Sequence, residues 1–430
     1  MLIRNATLAD GRQRDVRVRD GSIAAVQRDL DLDDGEELID ATGKRLLPGM
    51  IDAHVHFRQP GAPHKETWAA GSRAAAAGGV TTVVDQPNTD PPTIDGTAFD
   101  EKAEIAAADS IVDYGINGGV TAEWIPNVLL RRNLFALGEV FLADSTGDMG
   151  IDADLFEDAL AAATRREVTV TVHAEDASLF NHGVKARDDA DAWSAFRASR
   201  AEVAAVECAC EVAREHDARI HIAHTSTPGG IDAATDAGMT CEVTPHHMLL
   251  SRSDYDRLGT HGRMNPPLRR ESLRRKVYDR VADGTVDMIA TDHAPHTIDE
   301  KDASIWDAPS GVPGVETALP LLLAEVQDGN LTYERVRNLT AKNPAAVFDL
   351  PNKGEVAPGK DADLVLVDGT ETTTIDAGDR HTMCGWTPFD GFEGAFPELT
   401  MVRGNVVYER EPETGEETFH EVQGQNVRED

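Results

Sequence analysis

The sequence predicts an α/β fold, a TIM (β/α)8 barrel with a small β-sandwich domain built from both chain termini. Eight short β-branched runs alternate with Ala-rich stretches of helical length in the middle of the chain, whereas both ends contain only strand-like segments. A chain of 430 residues is long enough for one large barrel and one smaller domain. We therefore expect a composite domain of residues 1–49 and 352–430, and a barrel of residues 50–351.

The two terminal parts of the chain have the alternation of short strands. Apolar residues of the segment Val16–Val26 flank a turn at Asp20 and Gly21, and Asp363–Asp368 and Met401–Tyr408 show similar strand-like patterns. Neither end offers enough strands for an independent core. The sequence therefore predicts that the two ends pair in one β domain.

The middle of the chain supplies the barrel strands and the helices between them. The predicted strands are Ile51–His56, Thr81–Asp85, Asp113–Gly118, Ala136–Leu142, Thr169–His173, Ile220–His224, Thr240–Thr244 and Met288–Asp292. Four of the predicted helices are Trp68–Ala77, Phe99–Ala108, Leu155–Arg165 and Ala201–His216. The Pro-rich segment Asn265–Arg269, between the seventh and eighth strands, is predicted to be a loop.

Composition excludes several classes of partner. The formal net charge is −35 and only nine of the 41 basic residues are lysines, which is typical of proteins from salt-loving (halophilic) organisms. Such a chain repels nucleic acid and anionic membranes. We expect a cytoplasmic protein, because no signal peptide, membrane span or paired cysteine spacing is present. Cys208 and Cys210 lie in a predicted helix, with both expected in the core.

Four of the predicted barrel strands end in a histidine or an aspartate that packing does not require. His54 and His56 are two residues apart, so both side chains leave the first strand on the same side. The carboxyl ends of barrel strands converge on one mouth, where these side chains would meet. The sequence therefore predicts a metal centre with the ligands His54, His56, His173, His224 and Asp292.

The predicted ligands suit zinc, and their number exceeds one tetrahedral site with an open position. We expect two Zn²⁺ ions per subunit, bridged by a hydroxide and by a carboxylate. Glu139 in the fourth strand is predicted to supply the carboxylate, with Asp144 as the alternative. Two such ions lower the pKa of the bridging water, and Asp292 is predicted to take its proton and deliver it to the leaving nitrogen.

Several motifs resemble those of the dihydroorotases and allantoinases in the amidohydrolase superfamily. Pro48–Gly61, which contains the first two histidines, is similar to the first-strand signature of that family. Similar motifs follow in the expected order between about Leu47 and Leu350, and many family members place a carboxylated lysine where Glu139 stands here. These motifs are Gln86–Thr89, Val172–Asp176, His221–Ser226, Glu242–His247, Met264–Arg269, Ala290–His296 and Gly311–Thr317.

The resemblance also implies how an anionic substrate is bound. The positions that contact the substrate α-carboxylate in the family's dihydroorotases are Arg58, Asn88 and His296 in this sequence. A guanidinium suits a carboxylate because it offers a bidentate fork, and a chain of this charge needs a local positive group. Asn265 and the loop backbone near Gly314 correspond to ring contacts. The implied substrate-binding residues are Arg58, Asn88, Asn265, His296, Pro313 and Gly314.

These residues favour dihydroorotase activity, the reversible cyclisation of N-carbamoyl-L-aspartate to L-dihydroorotate in de novo pyrimidine (UMP) biosynthesis. The first alternative is another cyclic-amide hydrolase, such as an allantoinase or a hydantoinase, against which Arg58, Asn88 and Asn265 argue. The second is an inactive dihydroorotase-like scaffold subunit for aspartate transcarbamoylase, against which the retained ligands argue. We expect a homodimer as the default assembly. Association with aspartate transcarbamoylase is the other expected protein contact.

Overall fold

The computed structural model describes residues 1–142 and 149–429, and its centre is a ring of eight parallel strands. All eight strands lie where the sequence predicts them. Most end one to three residues earlier than predicted, so several of the polar residues predicted at strand ends lie in the loop that follows. Asp144, the alternative bridging residue, falls outside the described residues. The strands are Met50–Val55, Val80–Asp85, Asp113–Ile116, Leu137–Phe141, Val170–His173, Ile220–Ile222, Thr240–Val243 and Met288–Ile289.

Two bridges close the ring between a group of three strands and a group of five. Gly118 pairs with Leu137 between the third and fourth strands, and Val55 pairs with His293 between the first and eighth. At the second bridge the amide of His56 donates to the carbonyl of His293 over 2.8 Å. Closure therefore sets His56 directly beside the loop that carries Asp292.

A helix follows each strand and covers the outside of the ring. Ala153–Thr164 begins two residues earlier than predicted because the Asp152 side chain accepts from the amide of Leu155 and caps the helix. The main covering helices are Trp68–Ala77, Gly96–Asp109, Pro126–Leu129, Ala153–Thr164, Ser199–Glu215, Pro228–Asp236, Glu271–Asp283 and Ala318–Gln327. Within the described ranges, none of the helices is long and apolar enough to cross a membrane.

Shorter helices occupy the loops and the end of the barrel. The α-helices among them are Asp191–Phe196, Pro245–Leu249, Tyr255–Leu258, Ile298–Lys301, Tyr333–Arg337 and Asn343–Val347, and Asn338–Lys342 is a π-helix. The 3-10 turns are Ala177–Leu179, His182–Val184, Arg252–Asp254, Gly259–Gly262 and Ala377–Asp379. The predicted loop Asn265–Arg269 contains no helix or strand, as expected.

Both chain ends contribute to a second sheet, which confirms the predicted combination of a barrel with a β domain made from the two termini. Leu364–Asp368 pairs with Lys44–Pro48, so the sheet is continuous across the two ends. Ile3, Val16 and Leu364 belong to its separate apolar core. The nine strands are Leu2–Thr7, Gln13–Arg19, Ser22–Gln27, Leu38–Asp40, Lys44–Pro48, Leu364–Asp368, Pro397–Val402, Asn405–Arg410 and Glu417–Phe419; Thr373–Thr374 and Glu393–Gly394 form a separate hairpin.

The expectation that Cys208 and Cys210 are both core residues is wrong for Cys208, which is exposed, whereas Cys210 is buried. Both residues lie in the helix Ser199–Glu215. Positions two apart on an α-helix differ by about 200° around the axis, so they face opposite sides.

A buried lysine joins the barrel to the terminal sheet. The Nζ of Lys353 lies 2.7 Å from the carboxylate of Asp113, in the third barrel strand, and 2.5 Å from that of Asp363, which precedes the sheet strand Leu364–Asp368. All three side chains are at most 6% exposed. One ammonium group therefore neutralises two buried carboxylates that belong to different parts of the fold.

Replacing Lys353 by methionine is expected to lower the free energy of unfolding by about 3–5 kcal/mol, because Asp363 loses its ion-pair partner and stays buried, whereas Asp113 keeps its pair with Arg403. Denaturant-induced unfolding of the metal-free protein measures this change. Lys342→Met is the matched control: its pair with Glu355 is half exposed, so the loss should be at most about 1 kcal/mol. Equal losses in the two variants would contradict the structural role of Lys353.

Candidate metal centre and active site

The predicted ligands lie together at the carboxyl ends of the barrel strands. The first strand carries His54 and is followed by His56, and the fourth strand contains Glu139. The fifth strand ends at His173, whereas the sixth and eighth strands end shortly before His224 and Asp292, the two remaining ligands. All six side chains are buried. The structure therefore brings together residues that are separated by up to 238 positions in the sequence.

Glu139 stands at the centre of three imidazoles. Its Oε1 lies 2.5 Å from His224 Nε2 and 3.0 Å from His173 Nδ1, and its Oε2 lies 3.3 Å from His54 Nε2. Glu139, the carboxylate predicted in the fourth strand, thus faces histidines of three other strands. Glu139 therefore contacts three of the predicted histidine ligands through its two carboxylate oxygens.

Asp292 forms the second group with the two histidines of the first strand. Its Oδ1 lies 3.0 Å from His56 Nε2 and 3.6 Å from His54 Nε2. Ligand atoms of His54, Glu139 and His224 lie within 4.8 Å of one another, as do those of His54, His56 and Asp292. Because His54 belongs to both groups, the two candidate sites are adjacent.

The donor atoms themselves test whether a cation fits this cluster. His54 Nε2 is buried and has no hydrogen-bond partner among the described residues, although it faces the carboxylates of Glu139 and Asp292. A buried polar atom without a partner is costly. An imidazole nitrogen between two carboxylates is a suitable donor for zinc or a similar ion. The residues present therefore fit a metal ion.

Unusual backbone geometry also marks the cluster. His224 and Asp292 adopt φ angles of 33° and 47°, in a left-handed region that residues other than glycine seldom occupy. At Gly138, a Cβ atom would overlap the side chain and the carbonyl of Thr171, so the residue before Glu139 must be glycine. The amide of Glu139 donates to Gln86 Oε1 over 2.9 Å. Strained residues of this kind cluster at functional sites.

Charge in the cluster shifts its titration. Burial favours neutral histidine, but Glu139 and Glu242 outweigh it and raise the pKa of His54 well above its usual value. Burial likewise opposes protonation of His173, but Glu139 and Glu175 raise its pKa to about 9. Burial would raise the pKa of Glu139, whereas the surrounding histidines hold it well below the usual value. Without metal, protons balance these carboxylates at neutral pH.

Three acceptors orient the candidate ligands, and two of them, Glu242 and Glu175, are buried. Glu242 Oε1 lies 2.8 Å from His54 Nδ1, and Asn88 Oδ1 lies 2.7 Å from His56 Nδ1. Glu175 Oε2 lies 3.0 Å from His173 Nε2. Each contact uses the ring nitrogen that faces away from the cluster carboxylates, so the opposite nitrogen is left to point into the site.

Sequence reasoning assigned no role to Glu242 or Glu175. Glu242 could have been found, because it is an acid within the apolar strand Thr240–Val243, the same signal that identified Glu139. Glu175 lies beyond the end of its strand, and its partner Arg197 is 22 residues away, so no local pattern indicated the pair. Asn88, predicted to bind substrate, lines the cavity and also holds His56.

A cavity lies beside the cluster and is lined by three of the six predicted substrate residues. Arg58, Asn88 and Asn265 line it together with His56, Glu139, His173, His224 and Asp292. Arg58 Nη2 lies 3.2 Å from His296 Nε2, and its Nε donates to the carbonyl of Pro295. Burial lowers the pKa of Arg58 to about 10, which leaves it protonated at neutral pH.

The remaining predicted residues lie behind this wall. His296 is buried against Arg58 and lies 3.0 Å from the carbonyl of Ser310. The amide of Gly314 donates to His293 Nδ1 over 3.0 Å. Gly311 and Ser310 line the cavity, whereas Pro313 and Gly314 are not among its lining residues. The loop therefore meets the cavity about two residues earlier than the sequence motif indicated.

Glu242→Gln is expected to weaken metal binding by roughly 10–100-fold, because the amide replaces the charged acceptor that orients His54. Competition with a chelating indicator dye measures the affinity. Glu271→Gln, which removes an exposed carboxylate far from any candidate ligand, is the matched control and should bind metal normally. Unchanged affinity in Glu242→Gln would show that His54 needs no such support.

The metal-free protein should lose stability as the pH rises from about 6.5 to about 9. The pKa of His173 is raised to about 9 in the folded chain from a usual 6.5, so its proton stabilises the fold fully below about 6.5. That contribution is lost as pH rises through the folded pKa. Denaturant unfolding at each pH measures the trend, and His173→Gln should flatten it.

Comparison with known proteins agrees with this geometry. The sequence model of the amidohydrolase family matches residues 45–407. A dihydroorotase of Halobacterium salinarum is 62% identical over 428 residues, covering 99% of each chain, and one of Methanosarcina mazei is 41% identical, covering 97% of this chain and 96% of the relative. Among solved structures, an L-hydantoinase of Arthrobacter aurescens superposes with a TM-score of 0.93 at 28% identity, covering 99% of this chain and 98% of the other. The chain belongs to the amidohydrolase family, within its group of dihydroorotases.

Proposed function

We propose that this protein is a dihydroorotase that interconverts N-carbamoyl-L-aspartate and L-dihydroorotate, as a step of de novo pyrimidine (UMP) biosynthesis. The observation that carries the proposal is a buried, protonated Arg58 beside the candidate metal ligands. Among the described residues, its hydrogen-bonding partners are a carbonyl oxygen and an imidazole, and no carboxylate bonds to it. A substrate carboxylate is the counter-ion that such a guanidinium lacks.

The cofactor proposed is a pair of Zn²⁺ ions, bridged by Glu139. Such ions, when bound, would lower the pKa of water and polarise the amide carbonyl. The histidine-rich donor set favours zinc. The proposed ligands are His54, His56, Glu139, His173, His224 and Asp292.

Arg58, Asn88 and Asn265, which line the cavity together with the candidate metal ligands, would hold the substrate. Asp292 lines the same cavity and lies 3.0 Å from His56, so it reaches both the cluster and the substrate. We propose that an Oδ atom of Asp292 takes the proton of the attacking water and delivers it to the ring nitrogen during hydrolysis. Ring closure runs the same transfer in reverse. His296, Pro313 and Gly314 would support the substrate wall from behind.

A hydantoinase is the second candidate, because the solved relatives with similar folds include L- and D-hydantoinases at 27–28% identity. The ring of hydantoin carries no carboxylate, so it would leave the Arg58 guanidinium without a partner in the closed site. The buried cation therefore favours dihydroorotate.

Domain boundaries, salt environment and assembly are also proposed for this chain. We infer that residues 1–49 and 352–430 form one domain and residues 50–351 the catalytic barrel. The charge of −35 supports a cytoplasm of high salt content, where it is screened. A homodimer and a complex with aspartate transcarbamoylase remain the assemblies to test by light scattering.

The test is hydrolysis of dihydroorotate by zinc-loaded protein in high salt, with chelator-treated protein as control and hydantoin and allantoin as competing substrates. Metal-dependent turnover of dihydroorotate alone is the expected result. Arg58→Gln should lower kcat/KM for dihydroorotate by roughly 10–100-fold, because a charged hydrogen bond to the substrate is lost. Its zinc content should match the wild type. Preferential turnover of hydantoin, with no effect of Arg58→Gln, would establish the second candidate instead.

A further inference from the structure

A second, larger cavity adjoins the active-site cavity. It is larger than the first and open to solvent, and the two share Asn265 and Ser310 as lining residues. Trp193, Trp306 and Phe196 form much of its wall. We call it the aromatic chamber.

The aromatic rings of the chamber pack on one another and form a fixed wall. The ring centroids of Trp193 and Trp306 are 5.9 Å apart, those of Phe196 and Trp306 are 5.6 Å apart, and those of Phe180 and Phe196 are 5.1 Å apart. Trp193 Nε1 donates to Asn265 Oδ1 over 3.1 Å. The wall is therefore connected directly to a residue of the active-site cavity.

Cations of the chamber are stacked on these rings instead of on carboxylates. Arg263 lies 3.9 Å from the ring centroid of Trp193, and Lys185 lies 5.2 Å from that of Phe196. Within the described residues, neither Arg263 nor Lys185 forms an ion pair, whereas Arg197 pairs with Glu175. In a chain with 76 acidic and 41 basic residues, this chamber contains three cations and a single acid, Asp307.

The third cation connects the chamber to the metal-ligand cluster. Arg197 lines the chamber, and its Nε donates to Glu175 Oε2 over 3.0 Å. The same oxygen lies 3.0 Å from His173 Nε2. The positive wall of the chamber is thus two contacts from a candidate metal ligand.

We propose that the aromatic chamber is a second anion-binding site, which captures the substrate before it passes into the active-site cavity. Its ligand is a small carboxylate with a flat amide group, because stacked rings accept a flat amide face and the unpaired cations accept a carboxylate. This choice of ligand rests on the proposed function. Arg263 and Lys185 are the residues that hold the carboxylate.

The kinetic test is the double substitution Arg263→Gln and Lys185→Gln, measured with dihydroorotate. The expected result is a fall in kcat/KM of roughly tenfold with kcat changed by less than about twofold, because capture precedes the chemical step. Arg263→Lys with the native Lys185 should restore most of kcat/KM, because it keeps the charge. Arg131→Gln with Lys276→Gln removes two exposed cations elsewhere and is the matched control.

A binding measurement separates the chamber from the proposed function. Fluorine NMR of 5-fluoroorotate with the zinc-loaded protein should show two bound environments, of which the Arg263→Gln and Lys185→Gln variant loses one and Arg58→Gln loses the other. Two environments without any turnover of dihydroorotate would keep the chamber and reject the dihydroorotase proposal. A single environment, unaffected by the chamber variant, would overturn the chamber even if turnover is normal.

Discussion

The buried charge of Glu139 is the constraint on which the rest of the site depends. A carboxylate removed from water at the mouth of a barrel costs several kcal/mol unless cations surround it. Here three strands each bring an imidazole to it, with contacts of 2.5–3.3 Å. His54, His173 and His224 can surround one carboxylate because the closed ring brings the carboxyl ends of their strands together. Gln86 and Gly138 then fix the backbone that carries it.

A second ring of acceptors decides which nitrogen each imidazole presents. Glu242 and Glu175 are buried acids in a chain whose acids are otherwise mostly exposed, and each meets the far nitrogen of a candidate ligand. Because His54 contacts Glu242 and His173 contacts Glu175, each imidazole keeps one tautomer and one orientation. The same contacts raise the pKa values of these histidines in the metal-free state. A metal ion bound at this cluster would therefore compete with protons for the imidazole nitrogens.

Sequence reasoning predicted the barrel and the cluster of candidate ligands because both produce regular signals. Strands recur at even spacing, and His54, His56 and His173 stand at strand ends where packing needs no polar residue. Contacts between distant loops gave no such signal: the pairing of Glu175 with Arg197 and the stacking of Arg263 depend on loop conformations that no periodicity encodes. Cys208 was misplaced for a different reason: Glu211, one turn beyond it, lies on the same face of the helix Ser199–Glu215, and the prediction did not use this polar face to place the cysteine.

The distribution of cations resolves an apparent conflict between an acidic chain and an anionic substrate. Surface carboxylates repel such a substrate, and high salt limits that repulsion to short range. Attraction must then come from cations close to the substrate that no protein carboxylate neutralises. Within the part of the chain that the structure describes, Arg58, Arg263 and Lys185 form no ion pair, and carbonyl groups and aromatic rings hold them in place. A ring or a carbonyl can position a cation without cancelling its charge fully, whereas a carboxylate partner would cancel most of it. Holding cations in this way would let a strongly acidic protein keep a positive path to the proposed metal site.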